Sequence, residues 1–216
     1  MQQQTLIADP IVGVHESLSS EGLAAIKNPG SSAVIWKRKA LPRFQNWIDA
    51  VAPAKLPRGR VIVPPAMVRQ AVTKLASRAG LDSCQERAML TDDIVNLAAV
   101  FARIMDTPYL RLRLDVIKNN ACRKFHIDAV TARLICTYRG HATQYGNGAM
   151  GEDPDRIHEV PAGSPMILRG TTWPSEAKPG LLHRSPPIEG TGETRLVLVL
   201  DPISDIEADG PDGHIL

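Results

Sequence analysis

Aromatic side chains are scarce in this chain: Phe, Trp and Tyr together make up 4% of its 216 residues. So few rings cannot build the stacking platform that single-stranded nucleic acid requires. Charge of one sign is lacking as well. Lys+Arg 25 against Asp+Glu 23 leaves +2, which excludes a chain-wide polyanion-binding surface. The cysteines, Cys84, Cys122 and Cys136, are an odd set without CxxC or zinc-knuckle spacing, and read as reduced, mostly buried small hydrophobes. Apolar runs such as Leu196 to Leu200 are far too short to span a bilayer. The opening residues, Met1-Gln2-Gln3-Gln4-Thr5, carry neither the basic nor the apolar region of a signal peptide. A soluble cytoplasmic protein is expected, with neither nucleic acid nor membrane as a partner.

What is present is ordinary globular usage, with 44% hydrophobic and 22% charged residues. Pro (17) and Gly (16) are plentiful, which points to many turns and hence many short strands. Ala33 to Trp36 reads as a strand after the turn Asn28-Pro29-Gly30. Three helical patterns follow. Leu41 to Ala52 opens at Pro42, Pro65 to Arg78 stops at Gly80, and about Thr91 to Met105 has Thr91 as its expected N-cap.

After Pro108 the period changes from helical to alternating. Leu110, Leu112, Leu114 and Val116 interleave with Arg111, Arg113 and Asp115, the pattern of a half-buried strand. Further strands are expected at 133–138, 157–160, 165–168 and 195–200. The fold class read from this order is α+β: an antiparallel barrel or sandwich from 107 to 202, preceded by a helical layer with the first strands over 1–106. An acidic tail at 203–216 closes the chain. Counted from Asp201, this C-terminal stretch also contains Asp205, Glu207, Asp209 and Asp212, with no Lys or Arg.

The segment with chemistry in it is Cys122-Arg-Lys-Phe-His126-Ile-Asp128. On a strand, residues two apart share a face, so His126 and Asp128 can converge on one metal ion. A distant second imidazole would complete a 2-His-1-carboxylate triad, which holds Fe(II) on one side and leaves the other open. His183 supplies that imidazole, and twelve positions on, Arg195 opens the strand Arg-Leu-Val-Leu-Val-Leu200. The alternative is that His126 and His183 are satisfied barrel histidines and Arg195 an edge-strand arginine. A Cys122 thiolate four residues before His126 would instead favour Zn(II).

In this order and spacing the residues resemble the Fe(II)/2-oxoglutarate-dependent oxygenase superfamily, whose fold is a double-stranded β-helix of the jelly-roll or cupin kind. The resemblance covers about Tyr109 to Pro202, including the Gly-led stretch Pro161-Ala-Gly163-Ser-Pro-Met-Ile-Leu168. It implies that His126, Asp128 and His183 ligate Fe(II) and that Arg195 pairs with the distal carboxylate of 2-oxoglutarate. With O₂ as oxidant, the implied reaction is hydroxylation of a small-molecule or peptide-like substrate. The strings Cys122 to Asp128, Cys136-Thr-Tyr-Arg-Gly140 and His183-Arg-Ser-Pro-Pro187 also resemble a bacterial family of unassigned function, often encoded near zinc-handling genes. That leaves two other readings open: a cupin-like metalloenzyme without 2-oxoglutarate, and a non-enzymatic zinc-binding or regulatory module.

Thr137 and Tyr138, just after the His-x-Asp segment, are expected to touch the co-substrate or line the pocket. Arg133, Trp173 and Arg184 are candidates to meet an acidic or polar substrate, and His141 is a possible pocket residue. Between 109 and 139 the chain carries seven Lys/Arg against two Asp, which suits a solvated strand face or an anionic co-substrate.

Overall fold

Strands from seven separate stretches of the chain assemble one large sheet. A computed structural model describes residues 11–174 and 180–205. Its elements in chain order are β1 (Val14–Ser17), β2 (Ala33–Trp36), α1 (Pro42–Ala50), β3 (Gly59–Val63), α2 (Val68–Arg78), α3 (Gln85–Met105), β4 (Tyr109–Ile117), β5 (Ala132–Arg139), β6 (Gln144–Asn147), β7 (His158–Glu159), β8 (Met166–Arg169), β9 (Leu181–Arg184) and β10 (Arg195–Ile203). Short 3-10 helices at Glu21–Lys27, Pro53–Lys55 and Pro65–Met67 join them. The seven-stranded sheet runs β1-β2-β8-β5-β10-β4-β3, antiparallel except for the β1–β2 pair. A three-stranded sheet, β7-β6-β9, is separate.

Period-two alternation gives the large sheet two different faces. Leu110, Leu112 and Leu114 of β4, Leu134 and Cys136 of β5, and Leu196, Leu198 and Leu200 of β10 share a core with the helices, where Ile48, Val72, Leu97 and Phe101 meet them. The intervening residues Ile135, Val197 and Val199 face the other way and pack with Tyr145 and Leu181 of the small sheet. A helical layer thus covers one face and the small sheet the other. The architecture is mixed α/β with a large, mostly antiparallel sheet, as the strand pattern predicts.

Several boundaries differ from expectation for local physical reasons. Helix α3 begins two turns before Thr91, because Cys84 in extended conformation caps it, its Sγ accepting from Arg87 N (3.4 Å). Thr91 is instead buried inside the helix and donates Oγ1 to Arg87 O (3.0 Å), a local bond open to Thr within a helix. Asp106 ends the helix in the left-handed region at φ 52°. Cys84 and Cys122 are exposed and only Cys136 is buried, since the first caps a helix and the second occupies a turn at φ 50°. Burial pushes the Cys136 thiol up to about 12.

Strand β10 runs past Leu200 to Ile203, so Asp201 belongs to the sheet and not to a tail. Pro202 is tolerated because it pairs with β4 alone, β5 having ended its pairing at Leu200. The rest of the expected acidic tail, 206–216, lies outside the described residues, as does the N-terminal stretch 1–10. Among the described residues no helix is long and apolar enough to cross a membrane.

Candidate metal centre

The His-x-Asp segment is not a strand. It lies in the connection from β4 to β5, and a single antiparallel bridge holds it: His126 N donates to His183 O and His183 N to His126 O, both at 3.0 Å. His183 itself sits on β9, whose pairing with β6 (Tyr145 opposite His183) ties it to the small sheet. Backbone pairing of the two histidines, rather than strand alternation, therefore brings the imidazoles together, with ring centroids 4.6 Å apart.

Asp128 completes the group. Its Oδ2 is 3.0 Å from His183 Nε2 and its Oδ1 3.5 Å from His126 Nε2. Oδ2 is buried, yet no hydrogen bond of acceptable alignment reaches it. One donor atom from each of the three residues lies within 4.8 Å of the others, the one such cluster among the described residues. Two ligands at right angles on an ion about 2.1 Å from each are about 3 Å apart. An orphaned carboxylate oxygen beside an imidazole nitrogen at that spacing fits a shared divalent cation. The donor set, two imidazoles and one carboxylate, suits Fe(II) with open positions.

Neighbouring groups fix the orientation of these side chains. His126 Nδ1 donates to Lys124 O (2.8 Å), which places the proton on Nδ1 and leaves Nε2 a lone pair facing Asp128. Arg133 donates Nη1 to Asp128 Oδ1 and binds Asp201 through Nε (2.6 Å) and Nη2 (2.9 Å). Burial opposes ionisation of Asp128, but His126, His183 and Arg133 hold its carboxyl well below the usual carboxylate range. Burial pushes the His183 imidazole down, toward the neutral form a metal needs, while the neighbouring Asp128 carboxylate raises His126.

The loop behind the triad is held by a close approach of backbone. Gly170 N donates to Thr131 O (3.0 Å) and Thr171 N to Asp128 O (2.9 Å). A Cβ on Gly170 would run into the carbonyl oxygens of Val130 and Asp128. Gly170→Ala is expected to displace the Asp128 backbone and weaken divalent-metal affinity about 10- to 100-fold, as loss of a ligand's supporting contacts does. Competition with a chromophoric chelator measures this, and unchanged affinity would remove the loop from the site.

The triad opens into a cavity of about 890 Å³ that Arg195 also lines. Arg195 is 1% exposed; its Nε donates to His141 O (2.6 Å) and its Nη1 is buried with no partner. Burial lowers it to about 10, with Glu193 and Glu159 opposing. The His141 side chain pairs with Glu193 (Nδ1 to Oε2, 2.6 Å), so its backbone is what serves Arg195. Cys122 is on the cavity wall but is not one of the clustered donors.

The other expected residues divide. Arg133 and Arg184 are on the wall, but neither is free for substrate. Arg133 is held between two carboxylates, and Arg184 donates Nε to Gln144 Oε1 (2.9 Å) and lies 4.4 Å over the Phe125 ring. Thr137 shares the β5 face of Arg133 and Ile135 but is not on the wall; its Oγ1 is buried without a partner. Tyr138 is on the opposite face, where its hydroxyl donates to Asp93 Oδ2 (2.7 Å) and it packs in the helix-side core. Adjacent strand residues cannot share a face, so Thr137 and Tyr138 could not both have faced the site. Trp173 stacks 4.4 Å under the Arg169 guanidinium against the helix-side core, away from the cavity. Sequence reasoning missed Asp201 as the bidentate partner of Arg133, for no local signal links residues 68 apart.

A family model described as "Protein of unknown function (DUF1826)" matches residues 17–201, most of the chain and all of this site. The chain belongs to that family. No curated protein matches it. Among solved structures, the dioxygenase for auxin oxidation 1 of Arabidopsis thaliana, in its 2-oxoglutarate binary complex, superposes with a TM-score of 0.58 at 8% identity, covering 91% of this chain and 94% of that one. The dioxygenase for auxin oxidation of rice does so with a TM-score of 0.50 at 12% identity, covering 91% and 84%. At such identities the likeness is one of fold. This DUF1826 member thus has structural neighbours among the 2-oxoglutarate dioxygenases, the superfamily its motif resembles.

Proposed function

We propose that the chain is a non-haem Fe(II)- and 2-oxoglutarate-dependent oxygenase, its two sheets forming the double-stranded β-helix of that superfamily, and that it hydroxylates a small or peptide-like substrate. One observation carries the reading: a triad of His126, Asp128 and His183 and a buried arginine with an unpartnered guanidinium nitrogen line the same cavity. His126, Asp128 and His183 would hold the metal. Arg195 would pair with the distal carboxylate of the co-substrate, since a guanidinium fork matches a carboxylate. When bound, Fe(II) and 2-oxoglutarate supply the activation of O₂ that no side chain can perform.

The chain's own part is geometry. The His126–His183 bridge sets the imidazole pair, and Arg133 occupies Asp128 Oδ1, leaving Oδ2 for the metal. His141 O holds Arg195 by Nε and leaves Nη1 for the co-substrate. Ile135, Val197 and Val199 keep part of the wall apolar, which favours exclusion of water.

Adding Fe(II) and 2-oxoglutarate without oxygen is expected to produce the visible metal-to-ligand charge-transfer band of a chelated co-substrate. His126→Ala should abolish the band. An iron-replete wild-type protein that shows none would overturn the co-substrate assignment.

A further inference from the structure

The cavity is strongly cationic. Arg58, Arg113, Lys118, Arg133, Arg184 and Arg195 line it against only two carboxylates, Asp115 and Asp128. Most of these cations have an occupation. Asp128 and Asp201 neutralise Arg133, Gln144 and Phe125 hold Arg184, and Arg195 is given to the co-substrate. Arg58 and Lys118 are exposed to water.

Arg113 differs from all of these. It is partly buried on β4, and its nearest carboxylate, Asp115, is 3.8 Å away, beyond hydrogen-bond range. Its Nε is buried without any partner. An unpaired buried guanidinium donor costs free energy that a bound anion would return. Like charges crowd the same region. Arg60 stands opposite Arg113 on β3, and Arg111 is lowered by burial and then by Arg60, Arg113 and Arg133, with Asp201 acting against them.

The register places an apolar surface beside this cation. Arg113 is opposite Val199 of β10, and Val199 is opposite Ile135 of β5. Both, with Val197, are on the cavity wall. Arg195 stands four residues along β10 from Val199, about 13 Å at the rise of an extended strand. A second small anion therefore has room in the same cavity.

We infer that Arg113 anchors the substrate, and that the substrate is a small organic oxyanion with its carboxylate or phosphate on the Arg113 guanidinium and an aliphatic body on Ile135, Val197 and Val199. The inference rests on the oxygenase reading only in naming that anion the substrate; the binding itself does not. Recognition comes from two charge-assisted hydrogen bonds at the fork and from burial of the aliphatic part.

The test is calorimetric titration of the metal-free full chain with hexanoate and with hexyl phosphate, in saturating 2-oxoglutarate. At least one of the two binds wild type, and which one tells carboxylate from phosphate. Arg113→Met should weaken that binding at least about tenfold, the value of a lost charge-assisted pair, and leave 2-oxoglutarate binding unchanged. Arg113→Lys keeps the charge on the face and loses only the fork, so it should fall between wild type and Arg113→Met. It also serves as the variant to read if Arg113→Met does not fold. Equal binding of both anions by wild type and either variant, or binding of neither by wild type, would overturn the inference. Arg113-dependent binding in a protein without the charge-transfer band leaves the oxyanion site standing and overturns the oxygenase reading. The band without Arg113-dependent binding does the reverse.

Discussion

Replacing Arg133 with Met is expected to destabilise the protein by about 3–5 kcal/mol, the cost of leaving buried charge without its partner. Asp201 is 1% exposed, and Arg133 is the residue that hydrogen-bonds it through both carboxylate oxygens. Arg111 approaches no nearer than 3.8 Å in the ion pair it makes there, too far to replace the bidentate contact. Asp128 would lose its contact as well. Urea denaturation should show a lower midpoint with an unchanged slope. The double variant Arg133→Met/Asp201→Leu removes both ends of the Asp201 pair and should recover part of the stability. It should not recover metal affinity, because Asp128 Oδ1 remains without the group that holds it. A double variant no more stable than the single one would mean that packing of the arginine stem, not charge, accounts for the loss.

Replacing His183 with Ala is expected to lower divalent-metal affinity more than about 100-fold, beyond the range for loss of a supporting contact, since a ligand itself is removed. His183 is 5% exposed, so the variant also leaves a small void, and a modest drop in stability should accompany the loss. His126→Ala should lose metal with less effect on stability, because its side chain is a third exposed. Equilibrium dialysis with Co(II), whose visible spectrum reports coordination, measures both. Retained stoichiometric binding by His183→Ala would remove it from the ligand set.

The candidate site was legible in the sequence only in part. His126, Asp128, His183 and Arg195 could be picked out because each is a residue type with metal or carboxylate chemistry, in a recognisable order. The way they meet was not legible. Alternation along a strand was the expected reason for His126 and Asp128 to converge, yet they lie in a connection that one bridge to His183 holds in place. Leu-Leu-His-Arg is too short to declare itself a strand, so β9 leaves no clear pattern in the sequence, and neither do β1, β3 and β6. In sequence Asp201 reads as the start of an acidic tail, because Pro202 and the acids beyond it resemble the end of a strand. Its place in the sheet comes from pairing with β4.

The oxyanion anchor makes the same point. Seven Lys/Arg between 109 and 139 are visible at once, but not which of them lacks a partner. Arg133 and Arg113 are alike in sequence, each an arginine among apolar residues on a strand. Asp201 and Asp128 neutralise the first and nothing within hydrogen-bond range neutralises the second, a distinction made by strands distant in sequence.

Helical period in three stretches before Pro108 and alternating period after it were enough to determine helices and a mostly antiparallel sheet. Period and composition are local properties, and burial of an alternating face is a local demand. Tertiary structure alone decided which face of β5 meets the cavity, which arginine is neutralised, and that a two-residue backbone bridge assembles the triad. Those outcomes depend on pairing between segments far apart in the chain, where neither periodicity nor spacing carries the information.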